Sequence, residues 1–228
     1  MWACAKAGGL SRRWGKMVRA ILLVLLAVAF APLANAREAD PPADFAGAFV
    51  GLNTGYAFGA SGDWCYCTFL PSVADATEGE GGIIVGGEAG YGVRLGPIVI
   101  EAAARASHAD VQFSEICGIG LPCSGQAGWI GEAQISAGFV LFGDILFAGT
   151  WGYAVADVDT TIGLDASNAT HDGIVLAARI EQAMTENWRM GLEYRQYDMQ
   201  GTNGTPAGDV DIDWQTEAVA LTIHYELD

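Results

Sequence analysis

Three groups of side chains in this 228-residue chain have types and spacings that could do chemistry. The first pairs histidine with carboxylate: Ser107-His108 with Asp110, and His171-Asp172. A base beside a hydroxyl is the material of acyl transfer. The plainer reading makes them polar residues at loop rims, and no enzymatic activity is expected. The second group is Asp209, Asp211 and Asp213, three carboxylates along one face of an extended segment. They could bridge a divalent cation to phosphates. They lack the spacing of a dedicated calcium loop and read as a solvated acidic rim, so neither a metal site nor a cofactor is expected. The third group is Glu88, Glu101, Glu132, Glu181 and Glu193 with Arg105, Arg179, Arg189 and Arg195, spread through otherwise apolar segments. Charges so placed must pair, because a buried charge without a partner costs several kcal/mol.

Cysteine supplies a further chemistry. Cys65, Cys67, Cys117 and Cys123 are an even set that allows three pairings in an oxidising compartment. Cys117 with Cys123 closes a short loop and is the preferred pair. A direct Cys65–Cys67 bridge would be strained, which leaves a bond from either one to the other loop as the alternative. No histidine stands at ligand spacing, which argues against zinc.

The compartment follows from the beginning of the chain. Met17-Val18-Arg19 is basic, residues 21–30 are apolar without interruption, and Ala34-Asn35-Ala36 is a small-residue cleavage pattern. Residues 1–36 therefore read as a secretory signal, complete from Met17 onward, with residues 1–16 a superfluous extension. Five of the eleven basic residues and none of the 27 acidic ones fall in that segment, so the rest carries about −21 and has no lysine. Nucleic-acid binding is excluded, since nothing could neutralise phosphates. Hydrophobic residues make up 51% of the chain, yet no apolar run after residue 36 could span a membrane as a helix. The other structure that lipid permits is a closed barrel of strands.

The elements that must position these groups have a period of two. After a lead-in at residues 37–44, alternation marks strands at about 45–58, 81–94, 98–108, 128–142, 145–157, 171–183, 188–198 and 215–227. The last is the clearest: Val219, Leu221, Ile223, Tyr225 and Leu227 on one side, polar or small residues on the other. Connections alternate long and short, with polar loops at 59–80, 109–126, 158–170 and 199–213. The expected fold is all-β, a single eight-stranded antiparallel up-and-down transmembrane β-barrel over residues 45–228. Its apolar face meets lipid, and its other face fills the lumen with a Glu–Arg network. Aromatics toward the strand ends, such as Tyr56, Trp129, Phe139, Phe147 and Trp188, fit interfacial girdles.

Phe49-Val50-Gly51-Leu52-Asn53-Thr54-Gly55-Tyr56, Gly86-Gly87-Glu88-Ala89-Gly90-Tyr91 and Leu192-Glu193-Tyr194-Arg195 resemble motifs of the OmpA-type, opacity-like outer-membrane β-barrel family of Gram-negative bacteria. The resemblance implies outer-membrane localisation. It also implies periplasmic chaperones and the barrel-assembly machinery as partners, with lipid and lipopolysaccharide around a monomer. Family members usually end on an aromatic residue that the machinery reads. Here Leu227 holds that place, with Tyr225 the nearest aromatic. The expected role is structural: membrane integrity and surface properties, with acidic extracellular loops. A small-solute porin-like channel is the alternative, and a lipid A-modifying barrel enzyme a remote one.

Overall fold

The computed structural model describes residues 45–66, 81–116, 122–142, 144–205 and 208–227. The expected signal, the lead-in, Cys67 and Cys117 lie outside them. Eight strands follow in order: β1 Gly47–Tyr66, β2 Gly82–Leu95, β3 Ile98–Ile116, β4 Pro122–Leu141, β5 Ile145–Ile162, β6 Asp165–Ala183, β7 Trp188–Thr205 and β8 Gly208–Leu227. Each pairs antiparallel with the next, and β8 returns to β1 through Ala48↔Leu227 up to Tyr66↔Val210, closing the barrel. Closure leaves no sheet edge, which is how a strand protein satisfies its backbone in lipid.

The strands are longer than the alternation suggested. The segments read as polar loops at 109–126, 158–170 and 199–213 are in large part strand. β5 and β6 continue to a two-residue turn at Gly163-Leu164, with Gly163 at φ 62°. A pleat that keeps its period while its polarity reverses reads as a strand ending, and this explains the shortfall. On β5 the outward residues pass from Trp151, Tyr153 and Val155 to Asp157 and Asp159, while Ala154, Ala156, Val158 and Ile162 stay inward and buried. Asp110, Asp157, Asp159, Asp209, Asp211 and Asp213, assigned to loops, therefore stand on the outer wall of long hairpins.

An apolar belt encircles the half of the barrel nearer the short turns. Leu52, Tyr91, Ile135, Trp151, Leu221 and Ile223 are among its outward residues. Beyond the belt, pairing shifts between Phe58 and Ser61, where Gly59 has φ 62°, and between Ala127 and Ile130. Bulges of this kind bend a strand and increase its local twist.

A layered barrel interior as the candidate functional site

The side chains inside the barrel fall into three layers. At the short-turn end Phe45, Val99, Val140, Leu146 and Ala148 form an apolar cluster with Ala183 against it. Arg189 crosses from this cluster to the next layer, its guanidinium 4.6 Å from the Phe49 ring centre and 5.7 Å from that of Phe45. Such stacking lets a cation border apolar groups without a full desolvation penalty.

The middle layer joins strands across the lumen. Arg105 donates to Glu88 from Nε at 2.9 Å and to Glu193 from a terminal nitrogen at 2.8 Å. Glu193 also accepts from Arg195, which donates in turn to Glu132 and, at 2.6 Å, to Gln134. Tyr197 donates to the second oxygen of Glu132 at 3.0 Å, and Gln134 donates to Glu88 at 3.1 Å. Glu101 accepts from Arg179 and, at 2.6 Å, from Arg189. Arg189 also reaches Glu181 at 3.1 Å. All nine Glu and Arg residues singled out from sequence lie in this layer, every one of them buried. Low dielectric strengthens each bond and makes each partner costly to remove.

His224 also belongs to this layer, a part that the reading of the sequence missed. Its Nε2 bonds to Glu88, and its Nδ1 lies 2.7 Å from Glu181. Two carboxylates on two ring nitrogens call for two donors, and only the imidazolium supplies them. It joins the four arginines opposite Glu88, Glu101, Glu132, Glu181 and Glu193, with Glu226 a sixth carboxylate 3.6 Å from Arg189. Gly51 makes room for it, since a Cβ there would fall 2.1 Å from the His224 ring. Strict alternation on β8 was the available signal, because it turns His224 inward at the depth of Glu88.

The third layer fills the long-hairpin end and is apolar apart from a small hydrogen-bonded group that includes His171, Asn203 and Thr160. Val111, Phe113, Ile130, Val158, Met199, Ile212 and Trp214 are buried together, with Phe113 stacked on Trp214 at 5.8 Å. Cys123 faces into this layer and is disulfide-bonded. Its partner is not among the side chains described, so the choice between Cys117 and the Cys65 or Cys67 alternatives is outside the described residues.

The candidate catalytic pairs do not assemble. Neighbours on a strand point to opposite faces. Ser107 is buried inward, while His108 is exposed outward against Trp129 at 5.2 Å and donates to the Ala109 carbonyl. Asp110 accepts from Gln112 and Gln126. His171 is buried inward, while Asp172 accepts from Tyr153 on the outer wall. The pleat that lines up the ion pairs separates Ser107 from His108 and His171 from Asp172, while Asp110, on the same wall as His108, is engaged by the two glutamines. Asp211 accepts from Thr202 across the β7–β8 hairpin at 2.7 Å. Among the described residues no cluster of ligating side chains could hold a metal. Tyr225 and Leu227 lie on the outer wall at the short-turn end, with Tyr225 against Trp188 at 4.9 Å.

Comparison with known proteins adds four findings. The family model described as outer membrane protein beta-barrel domain matches residues 20–221. The 31 kDa outer-membrane immunogenic protein of Brucella melitensis is 26% identical over 219 residues, covering 82% of this chain and 89% of the relative. Among solved structures, the outer membrane protein OprG from Pseudomonas aeruginosa aligns with TM-score 0.48 at 11% identity, over 82% of this chain and 100% of that one. Neisserial surface protein A aligns with TM-score 0.45 at 11% identity, over 79% and 97%.

Proposed function

The chain belongs to the outer-membrane protein β-barrel domain family, and from that premise we propose that it is a structural, non-conducting and non-enzymatic barrel of the outer membrane. One observation carries the reading: the charged layer is capped at both ends by apolar layers. An ion or small solute would have to shed water twice and displace packed side chains between. The long-hairpin end faces outward in this reading and presents Asp157, Asp159, Asp209, Asp211 and Asp213 at the cell surface, the short turns facing the periplasm. Its contribution is to envelope integrity and surface charge. The separation of Ser107 from His108, and of His171 from Asp172, supports the non-enzymatic part.

Planar-bilayer recording with the full chain tests this reading. No stepwise openings are expected at neutral pH in molar salt; stable openings that scale with salt would replace it with a small-solute channel. Export by residues 1–36 belongs to the same proposal, and N-terminal sequencing of protein recovered from membranes should then begin at Arg37.

A further inference from the structure

Among the described side chains of the long-hairpin layer, one histidine titrates in an otherwise apolar or uncharged setting. His171 is fully buried on β6, beyond the belt, among Ala156, Met199, Ile212 and Trp214. Partners of opposite demand hold its two ring nitrogens. Trp214 donates from Nε1 to Nδ1 at 3.1 Å. An indole N–H can only donate, so Nδ1 must carry a lone pair. The single ring proton therefore sits on Nε2 and is donated to Asn203 Oδ1 at 2.7 Å. The amide of Asn203 passes the order on, donating to Thr160 Oγ at 3.1 Å and Ser167 Oγ at 3.3 Å.

This relay links β5, β6, β7 and β8 through the interior, and it has no place for a second proton. A proton on Nδ1 would face the indole donor to donor and would put a charge among apolar side chains. The ring has no room to turn toward β7, because a Cβ at Gly201 would already lie 2.3 Å from it. The charged groups on the hairpin half of these strands are Asp157 and Asp159 on β5, Asp172 on β6, Asp198 on β7, and Asp209, Asp211, Asp213 and Glu217 on β8, all on the outer wall, with Asp165 exposed at the hairpin tip. Inward on the same strands are the phenol of Tyr197 and, deeper, the paired Arg179, Glu181, Arg189, Glu193, Arg195, His224 and Glu226 of the charged layer; none of these groups hydrogen-bonds the ring.

We propose that His171 is an acid-released latch. In its neutral form it ties the long-hairpin half of β5–β8 together, and taking up a second proton lets that half loosen while the belt half stays closed. Burial also lowers the proton affinity of this ring below that of a free imidazole. The open form then binds the proton more readily than the closed one, so the closed form is favoured at neutral pH and loses ground as pH falls through about 6.5.

Hydrogen exchange on the full chain in lipid nanodiscs, corrected for the intrinsic pH dependence of exchange, reads the two halves separately. From pH 7 to pH 5, protection in segments 156–162, 165–172, 199–204 and 210–216 is expected to fall by about tenfold or more, while segments 47–57 and 219–226 hold theirs. His171→Gln should abolish the difference between the two pH values. Should that variant fail the heat-modifiability gel shift of a folded barrel, Trp214→Phe serves instead. It removes the opposing donor, so the His171 ring should titrate at higher pH by NMR and the acid-dependent loss should shrink. The latch is overturned if native protection holds down to pH 5, or if the loss persists unchanged in either variant, which would assign it to the surface carboxylates.

Discussion

Along β5 to β8 the belt half of the barrel and the hairpin half beyond it share one continuous pleat, and they invert each other's chemistry; in β1 and β4 a bulge shifts the phase between them. On β8 the inward positions run from Val210, Ile212 and Trp214 to Thr222, His224 and Glu226 without a change of phase. The outward ones run from Asp209, Asp211 and Asp213 to Val219, Leu221 and Ile223. Strand geometry fixes which side chains share a wall, and the solvent on the far side decides which wall must be apolar. Where lipid lies outside, polar groups go in and must bond to one another. Where water lies outside, the interior returns to an ordinary hydrophobic core. The two buried histidines report the same contrast: His224 between two carboxylates is an imidazolium, and His171 between an indole and an amide is neutral.

Four substitutions probe that contrast, each read by urea unfolding of the folded protein in lipid vesicles. Glu193→Leu should do most harm, since it leaves Arg105 and Arg195 buried beside each other without their shared carboxylate. About 3–5 kcal/mol is expected. A loss below about 1 kcal/mol, typical of a solvated surface pair, would mean that water reaches the middle layer. Leu52→Arg places a charge on the lipid side of the belt and should cost about 2–4 kcal/mol. Were it neutral, the belt would not face lipid there. Trp214→Phe keeps most of the packing but strands Nδ1 of His171, for about 1–3 kcal/mol, with the belt half remaining heat-modifiable. Asp159→Arg, on the outer wall of the hairpin half, should stay within about 0.5 kcal/mol. An effect as large as that of Leu52→Arg would erase the distinction between the two walls.

The belt half was legible in the sequence because its outward residues are both apolar and periodic, as in Val219, Leu221, Ile223, Tyr225 and Leu227. Eight strands, their faces and the closure of β8 on β1 all followed. The hairpin half was not legible as strand, although Asp209-Val210-Asp211-Ile212-Asp213 alternates just as strictly. There the apolar residues had moved to the other wall, and three carboxylates in five residues resembled a loop. Of the interior, the charged residues could be named because they interrupt apolar segments. The layering could not, since depth in a barrel depends on strand tilt and register, which one strand's pattern does not contain. The catalytic suggestions at Ser107-His108 and His171-Asp172 arose from adjacency in sequence. On a strand, adjacency means opposite walls.

The seam between β1 and β8 has a consequence for the order of events when the chain folds. Ala48 meets Leu227 there, a pairing 179 positions apart, whereas every other neighbouring pair is joined by its own hairpin. Bringing such distant partners together carries the largest loop-closure entropy in the molecule and forms no contact until both ends have arrived. The hairpins can zip locally and early, but the ring becomes a ring only in its last step. Pulse-labelled exchange during refolding should therefore find Leu52 and Ile223 protected later than Trp151 and Leu176, and an unfinished barrel would wait with two bare edges, open to pairing with another chain.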